Sequence, residues 1–213
     1  MIKGMIFDLD GTLLNTAYDL ATASNRAMED YGYPTFTVEE IMQKVGNGNL
    51  NLMKRCLPEG KKDQAEEALE HFKKHYADCY MDETRPYEGM VELIGELHKR
   101  GILLAVHTNK LNEYCENLIH KNYPDIPFVM ILGNVAGIPR KPDPTGVEKI
   151  ISKMGLDKSE IVYVGDSEVD VKTAKNTGIR SIWVSWGFRT LDQVLSEGPD
   201  AIVDSPEEIL GLL

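Results

Sequence analysis

The sequence predicts an α/β fold: a doubly wound, mostly parallel sheet (a Rossmann-like core) carrying an inserted all-helical domain. Three observations predict it. A short apolar run at residues 2–7 stops at Asp8-Leu9-Asp10-Gly11-Thr12, which reads as a buried strand and a sharp turn. Residues 16–84 repeat their apolar side chains at three- and four-residue spacing, the period of helices. From residue 85 onward, β-type runs alternate with helical ones that glycines close, the pattern of parallel βαβ units.

Ile2, Met5, Ile6 and Phe7 make the first strand. Leu20, Ala23, Ala27, Met28 and Tyr31 mark a helix that Gly32 and Pro34 end. Thr37, with Glu40 three residues on, reads as a capping box for a helix over 38–45, and Gly46-Asn47-Gly48 breaks it. Leu50, Met53 and Leu57 mark a further short helix that stops near Pro58. The run 61–83 is long and amphipathic, with Ala65, Leu69, Phe72, Tyr76 and Cys79 on one stripe. Four helices and no strand make 16–84 a helical cap, leaving 1–15 and 85–213 as the core.

In the core, Val91, Ile94 and Leu97 give a helix ended by Gly101. Residues 102–106 form the second strand and run into His107-Thr108-Asn109-Lys110, where the next helix, with Tyr114, Leu118 and Ile119, is expected to start. Residues 128–132 form the third strand, followed by a Gly/Pro-rich loop carrying Lys141. Val147, Ile150, Ile151 and Met154 make a helix closed by Gly155, and the fourth strand, 161–164, ends at Gly165-Asp166-Ser167. Val171, Ala174 and Lys175 lie on a helix ended by Gly178; residues 181–184 form a fifth strand and 201–203 a short sixth. Right-handed crossovers bring the carboxyl ends of parallel strands to one edge. Asp8/Asp10, Thr108/Asn109 and Asp166 all follow strand ends, so they converge there.

The length, 213 residues, suits one large domain or a core with a smaller insert. The formal net charge of −11 argues against a nucleic-acid partner. It also requires any positive field for an anionic substrate to be local. Cys56, Cys79 and Cys115 are an odd set without metal-type spacing, read as free thiols in a reducing compartment. No apolar run approaches the ~18 residues of a membrane span. Asp8 and Asp10 interrupt the first apolar run at once, so no signal peptide is read and the expected location is cytoplasmic. A monomer or homodimer is expected.

Asp8 and Asp10, two residues apart, face the same side of an extended backbone, and Gly11 lets the chain turn after them. The carboxyl end of a strand is where open α/β sheets place ligands. A lone D-x-D-G is more often an acidic turn. A calcium loop does not fit: it wants its glycine sixth and a helix before it, whereas Gly11 is fourth and follows a strand.

The stretch MIFDLDGT at 5–12 resembles the first motif of the haloacid dehalogenase-like hydrolases, in their phosphatase branch. Thr108 is similar to the family's second motif, Lys141 in Lys-Pro-Asp-Pro to the third, and Gly165-Asp166-Ser167-Glu168-Val169-Asp170 to the fourth. Each motif is weak or moderate alone; four in order at strand ends are specific. The resemblance implies hydrolysis of a small phosphate ester through an aspartyl-phosphate, with Mg²⁺ as cofactor. It makes Asp8 the nucleophile and Asp10 the acid for the leaving alcohol, then the base for water. It makes Asp166 a metal ligand, and Asp170 a residue that orients metal waters or Lys141. Gly46-Asn47-Gly48, followed by Leu52 and Arg55, resembles the cap loop of phosphoglycolate phosphatases. That likeness implies a substrate-selecting role for Gly46, Asn47 and Gly48, with 2-phosphoglycolate as the expected substrate.

Elementary electrostatics agrees with the need for a cation. Like unit charges ~4 Å apart repel by ~4 kcal/mol at an effective dielectric near ~20, and a carboxylate attacking a phosphate dianion meets two of them. Asp8 and Asp166 can supply carboxylates, and Asp10 its backbone carbonyl, to a hard cation such as Mg²⁺. Lys141 can hold phosphoryl oxygens as a point charge, Thr108 can donate its hydroxyl, and Asn109 its N–H at the helix start.

Some positions depart from the family pattern. Asn15 stands where many relatives carry an acid. His107 takes a usually apolar place and is expected to be packed and hydrogen-bonded. Arg189 in Gly187-Phe188-Arg189 is placed either to line the site rim or, the commoner case, to be a surface arginine. Three other functions stay open to different degrees. A phospho-acceptor signalling domain also uses acids, Thr or Ser and Lys, but usually pairs its acids directly and has no helical insert. A sugar-phosphate mutase of the same superfamily commonly carries a basic residue in the cap loop to hold a second phosphate, and Gly46-Asn47-Gly48-Asn49 has none; another sugar phosphatase of the superfamily is the further alternative of this kind. Dehalogenases lack the acid that Asp10 supplies.

Overall fold

The computed structural model describes residues 1–213. In chain order its strands are β1 (Gly4–Phe7), β2 (Leu14–Asn15), β3 (Arg85–Pro86), β4 (Leu103–Leu111), β5 (Met130–Asn134), β6 (Ile161–Gly165), β7 (Arg180–Val184) and β8 (Ala201–Val203). Six of them form one sheet in the order β5-β4-β1-β6-β7-β8, with parallel pairings. Every residue of β1 and β6 is buried. That is why these segments read as continuous apolar runs, the mark of a sheet covered on both faces. On one face, Ile6, Ala105, Leu132, Val147, Ile150 and Tyr163 belong to one buried cluster.

The helices are α1 (Ala17–Glu29), α2 (Val38–Lys44), α3 (Asn49–Cys56), α4 (Ala65–Cys79), α5 (Met90–Lys99), α6 (Asn112–Asn122), α7 (Thr145–Met154), α8 (Glu168–Thr177), α9 (Leu191–Leu195) and α10 (Pro206–Ile209). The chain divides into two compact units: Met1–Leu14 with Pro86–Leu213, and Asn15–Arg85. The first holds the six-stranded sheet. After β1 the sheet grows outward through β4 and β5, then returns to the other side of β1 with β6, β7 and β8. The carboxyl ends of β4, β1 and β6 therefore flank a switch in winding direction, the place where such sheets bind ligands.

The second unit is helical. α1 and α4 pack along each other, burying Leu20, Ala23, Ala27 and Met28 of α1 and Ala65, Ala68, Phe72 and Tyr76 of α4. Small side chains on both helices allow the close approach. The capping box is formed: Glu40 N–H donates to Thr37 Oγ1 at 3.2 Å, and Thr37 N–H to Glu40 Oε2 at 2.8 Å. The run 61–83 is not one helix. A 3₁₀ turn covers Lys62–Gln64, and α4 stops at Cys79. The reason lies far off in sequence. The buried Asp19 carboxylate accepts from Glu83 N–H at 2.9 Å, Thr84 N–H at 2.9 Å and the Thr84 hydroxyl at 2.7 Å. Hydrogen bonds to a charged acceptor contribute about 1.5–3 kcal/mol each, enough to take 83–84 out of the helix. β2 and β3, the two chain passages at the ends of this unit, pair as a small two-stranded sheet.

The second strand of the sheet also differs from expectation. β4 runs to Leu111 and α6 starts only at Asn112, so Asn109 does not begin a helix. The ladder to β5 shifts register between His107 and Leu111, which lets the strand continue past the point where its polar residues begin.

Candidate active site

The register sets the site. Phe7 pairs with Val106 on one side and Val164 on the other, and Asp8 N–H donates to Val164 O at 2.9 Å. Carried onward, this places Asp8, Thr108 and Asp166 within about a residue of one another along three neighbouring strands. Oxygens of Asp8, Asp166 and Asp170 all lie within 4.8 Å of one another, and all three residues are buried.

Each carboxylate is held. Asp8 Oδ1 accepts from Leu9 N–H at 2.7 Å and from Lys141 Nζ at 2.9 Å. Lys141 also donates to Asp170 Oδ1 at 2.7 Å, so one ammonium ties two acids together. Asp170 Oδ2 takes the Ser167 hydroxyl at 2.6 Å and Ser167 N–H at 3.0 Å, the capping box of α8. Asp166 Oδ2 accepts from Phe188 N–H at 2.6 Å, and its main-chain oxygen from the Trp183 indole at 2.7 Å. Gly11, at φ 82°, and Gly187 press so closely on Asp166 that a Cβ at either would overlap its carboxylate.

Lys141 itself is positioned by Asn109. Lys141 N–H donates to Asn109 Oδ1 at 2.9 Å, and Asn109 Nδ2 donates to Lys141 O at 3.3 Å. The Asn109 side chain thus braces the loop that carries the lysine, from a strand rather than from a helix start. Thr108 is buried beside it, its hydroxyl accepting from Lys110 N–H at 3.3 Å.

Sequence reasoning passed over Lys110. Its Nζ lies 2.9 Å from Asp10 Oδ1, with the lysine side chain 2 % exposed. The signal was available only once β4 is known to extend: in a strand, 108 and 110 share a side, so Thr108 and Lys110 face the first motif together. Arg189 is another correction. It is buried, not a surface arginine, and pairs with Glu168 at 3.4 Å, because Phe188 must sit against Asp166 and draws its neighbour in. His107 is buried; the Tyr163 hydroxyl donates to His107 O at 2.8 Å and lies 3.3 Å from Nδ1. Burial, helped by the Lys141 charge, pushes the His107 imidazole down to about 3, so it is neutral at physiological pH.

The charges do not balance. Asp8, Asp10, Asp166 and Asp170 face two ammoniums, Lys141 and Lys110. If all are ionised, two negative charges are left over in a buried place. Burial, only partly offset by Lys141, raises the Asp8 carboxyl to about 7. Burial and the Asp170 and Asp8 charges raise Asp166 well above its usual range. For Lys141, burial acts downward, but Asp170 and Asp8 outweigh it and hold the ammonium firmly charged. An all-oxygen donor set short of two positive charges fits one hard divalent cation.

The Gly46-Asn47-Gly48 loop lies in the helical unit between α2 and α3. Both glycines take positive φ, 123° and 84°. Arg55 straps the loop: its Nη2 donates to Asn47 Oδ1 at 2.5 Å and its Nη1 to Lys44 O at 2.6 Å.

Residues 5–184 match the family model of the haloacid dehalogenase-like hydrolases. A phosphoglycolate phosphatase from Vibrio parahaemolyticus is 32 % identical, covering 98 % of this chain and 95 % of its own. One from Aquifex aeolicus is 29 % identical, with coverage of 100 % and 97 %. A crystal structure from Lactobacillus delbrueckii subsp. bulgaricus, provisionally described as a phosphoglycolate phosphatase, has a TM-score of 0.92 at 34 % identity over 97 % of this chain and 96 % of that one.

Proposed function

The chain belongs to the haloacid dehalogenase-like hydrolase family, and from that premise we propose that it is a Mg²⁺-dependent phosphomonoesterase working through a phosphorylated Asp8. The observation that supports this most directly is the buried cluster of Asp8, Asp166 and Asp170 around Lys141. In this reading Asp8, Asp166 and the Asp10 main-chain carbonyl hold Mg²⁺, which, when bound, offsets the charge of the attacking carboxylate and of the phosphoryl oxygens.

The chain's own residues carry the steps. Lys141, the Thr108 hydroxyl and the backbone at Asn109 hold the phosphoryl group, and Asn109 keeps Lys141 in place. An Asp8 oxygen bonds to phosphorus as the ester P–O bond breaks, and Asp10 gives its proton to the departing alkoxide. Asp10 then takes a proton from water as that water attacks phosphorus, and inorganic phosphate leaves Asp8 a carboxylate again. Asp170 orients Lys141 through the bond described above. Asn15–Arg85 serves as a cap, and its loop at Gly46, Asn47 and Gly48 selects the substrate. The substrate is a small phosphorylated metabolite, with 2-phosphoglycolate first among candidates given the names of the relatives.

Phosphate release from a panel of phosphomonoesters, with and without Mg²⁺, tests the reading. Activity should need the cation, rank 2-phosphoglycolate at or near the top, and vanish in Asp8→Asn while the fold survives. Near-normal turnover by Asp8→Asn would remove the nucleophile. A stable phospho-protein without turnover would favour the signalling alternative. A second reading, a sugar-phosphate mutase or sugar phosphatase, rests on Arg55: from α3 it reaches the loop through Asn47 Oδ1 and supplies the basic side chain that the loop itself lacks for a second anionic group of a substrate. Interconversion of sugar phosphate isomers in the same panel would identify the mutase.

A further inference from the structure

His71 and His75 sit four residues apart on α4, and both rings turn to a single oxygen of Asp30, the residue that caps the end of α1. His71 Nδ1 lies 2.6 Å and His75 Nε2 2.8 Å from Asp30 Oδ2. We propose that Asp30, His71 and His75 form a second metal site, for a borderline transition cation of the Zn²⁺ class, that staples α1 to α4 in the helical unit.

The donor set carries the argument. Two imidazoles and a carboxylate suit Zn²⁺, Co²⁺ or Ni²⁺ and suit Mg²⁺ poorly. Histidines at i and i+4 on one helix face are the spacing by which a helix offers two ligands to one ion. Phe72, between them in sequence, is buried, which fixes the rotation of α4 and turns both histidines toward Asp30. Their ring atoms remain reachable: side-chain exposure is 40 % for His71, 21 % for His75 and 36 % for Asp30. Tyr31 packs 5.1 Å from the His71 ring and steadies it. Both imidazoles favour the ionised form of Asp30, so the carboxylate is ready as a ligand. Binding exchanges the proton that each imidazole shares with Asp30 for the cation, with a small swing of these partly exposed side chains. The fourth position is left to water. None of these residues belongs to the phosphatase site, so the proposal does not depend on that reading.

The test is a Co²⁺ titration of the full chain in excess Mg²⁺, read by visible absorption. Imidazole ligands at low coordination number give much stronger bands than an all-oxygen octahedral site. Saturable strong bands that Zn²⁺ displaces are expected, with a rise in melting temperature on adding Zn²⁺. His71→Ala and His75→Ala should each weaken Co²⁺ by more than the about 100-fold that marks loss of an outer-shell partner. Asp166→Ala should keep the bands. Weak bands only, or strong bands that survive both histidine substitutions, would overturn the site. Since both histidines are partly exposed, the variants' unchanged melting temperature without metal serves as the folding control.

Discussion

Lys110 shows what a single side chain can decide. Its pair with Asp10 is almost wholly out of solvent, with Asp10 12 % exposed. Removing one partner of a buried pair leaves an uncompensated charge and costs about 3–5 kcal/mol. Lys110→Met should therefore lower unfolding stability by about 3 kcal/mol, read by urea denaturation without divalent cation. If the lysine also aims Asp10 at the leaving oxygen, turnover of an alkyl phosphate should drop more than that of p-nitrophenyl phosphate, whose leaving group needs less acid help. Asp10→Asn should show the same bias. Equal loss on both esters would leave Lys110 a structural residue. At this scale the sequence was informative for residues that sit in motifs: Asp8, Asp166, Asp170 and Lys141 do come together. It was silent on Lys110, Phe188 and Arg189, whose partners are fixed by sheet register and by a loop closing over Asp166, neither of which leaves a local pattern.

Among the elements, those with their own internal signals were legible. The Thr37–Glu40 box and Gly155 and Gly178 at helix ends are local chemistry, and each stands where the sequence puts it. Elements whose ends depend on distant partners were not. β4 outruns its apolar stretch because Asn109 braces Lys141, and α4 falls short because Asp19 takes the N–H groups of 83–84. α9 and α10 have too few residues to show a period; α9 still carried a local signal that was passed over, the Thr190–Gln193 capping box. The loop between α2 and α3 invites a test at the same scale. Asn47→Ala should reduce kcat/KM for 2-phosphoglycolate by about 1–2 kcal/mol, the worth of a hydrogen bond to a charged group. Arg55→Ala should act in the same direction, because Arg55 holds the Asn47 carboxamide. Neither should much affect p-nitrophenyl phosphate. Parallel losses on both substrates would make the loop a structural turn only.

Across the whole molecule, the α/β class and the helical interruption were legible from period alone, while the β2–β3 pairing was not, since two-residue strands carry no period. No helix is long and apolar enough to cross a membrane. The unbalanced charge of the site has a global consequence for stability. A carboxyl whose folded pKa lies above its unfolded value of ~4 binds its proton better when folded. With Asp8 raised to about 7 and Asp166 raised well above its usual range, both by burial first, that contribution is full below the unfolded value and is lost as pH rises through the folded one. A divalent cation at those carboxylates opposes the loss. The gain in melting temperature on adding Mg²⁺ should thus be larger at about pH 8 than at about pH 5; equal gains would mean that the cation binds elsewhere. The central place of β1 also bears on how the chain is made. Its neighbours in the sheet are Leu103–Val106 and Ile161–Val164, so β1 leaves the ribosome before either and acquires partners late. The helical unit, built from nearer contacts, is complete before either neighbour exists and can fold in the interval. Throughout that wait a wholly apolar strand is open to pairing with other nascent chains. The charges that follow it at once, Asp8 and Asp10, are the flanking kind that discourage such pairing, so the acids proposed for catalysis also guard the strand during synthesis.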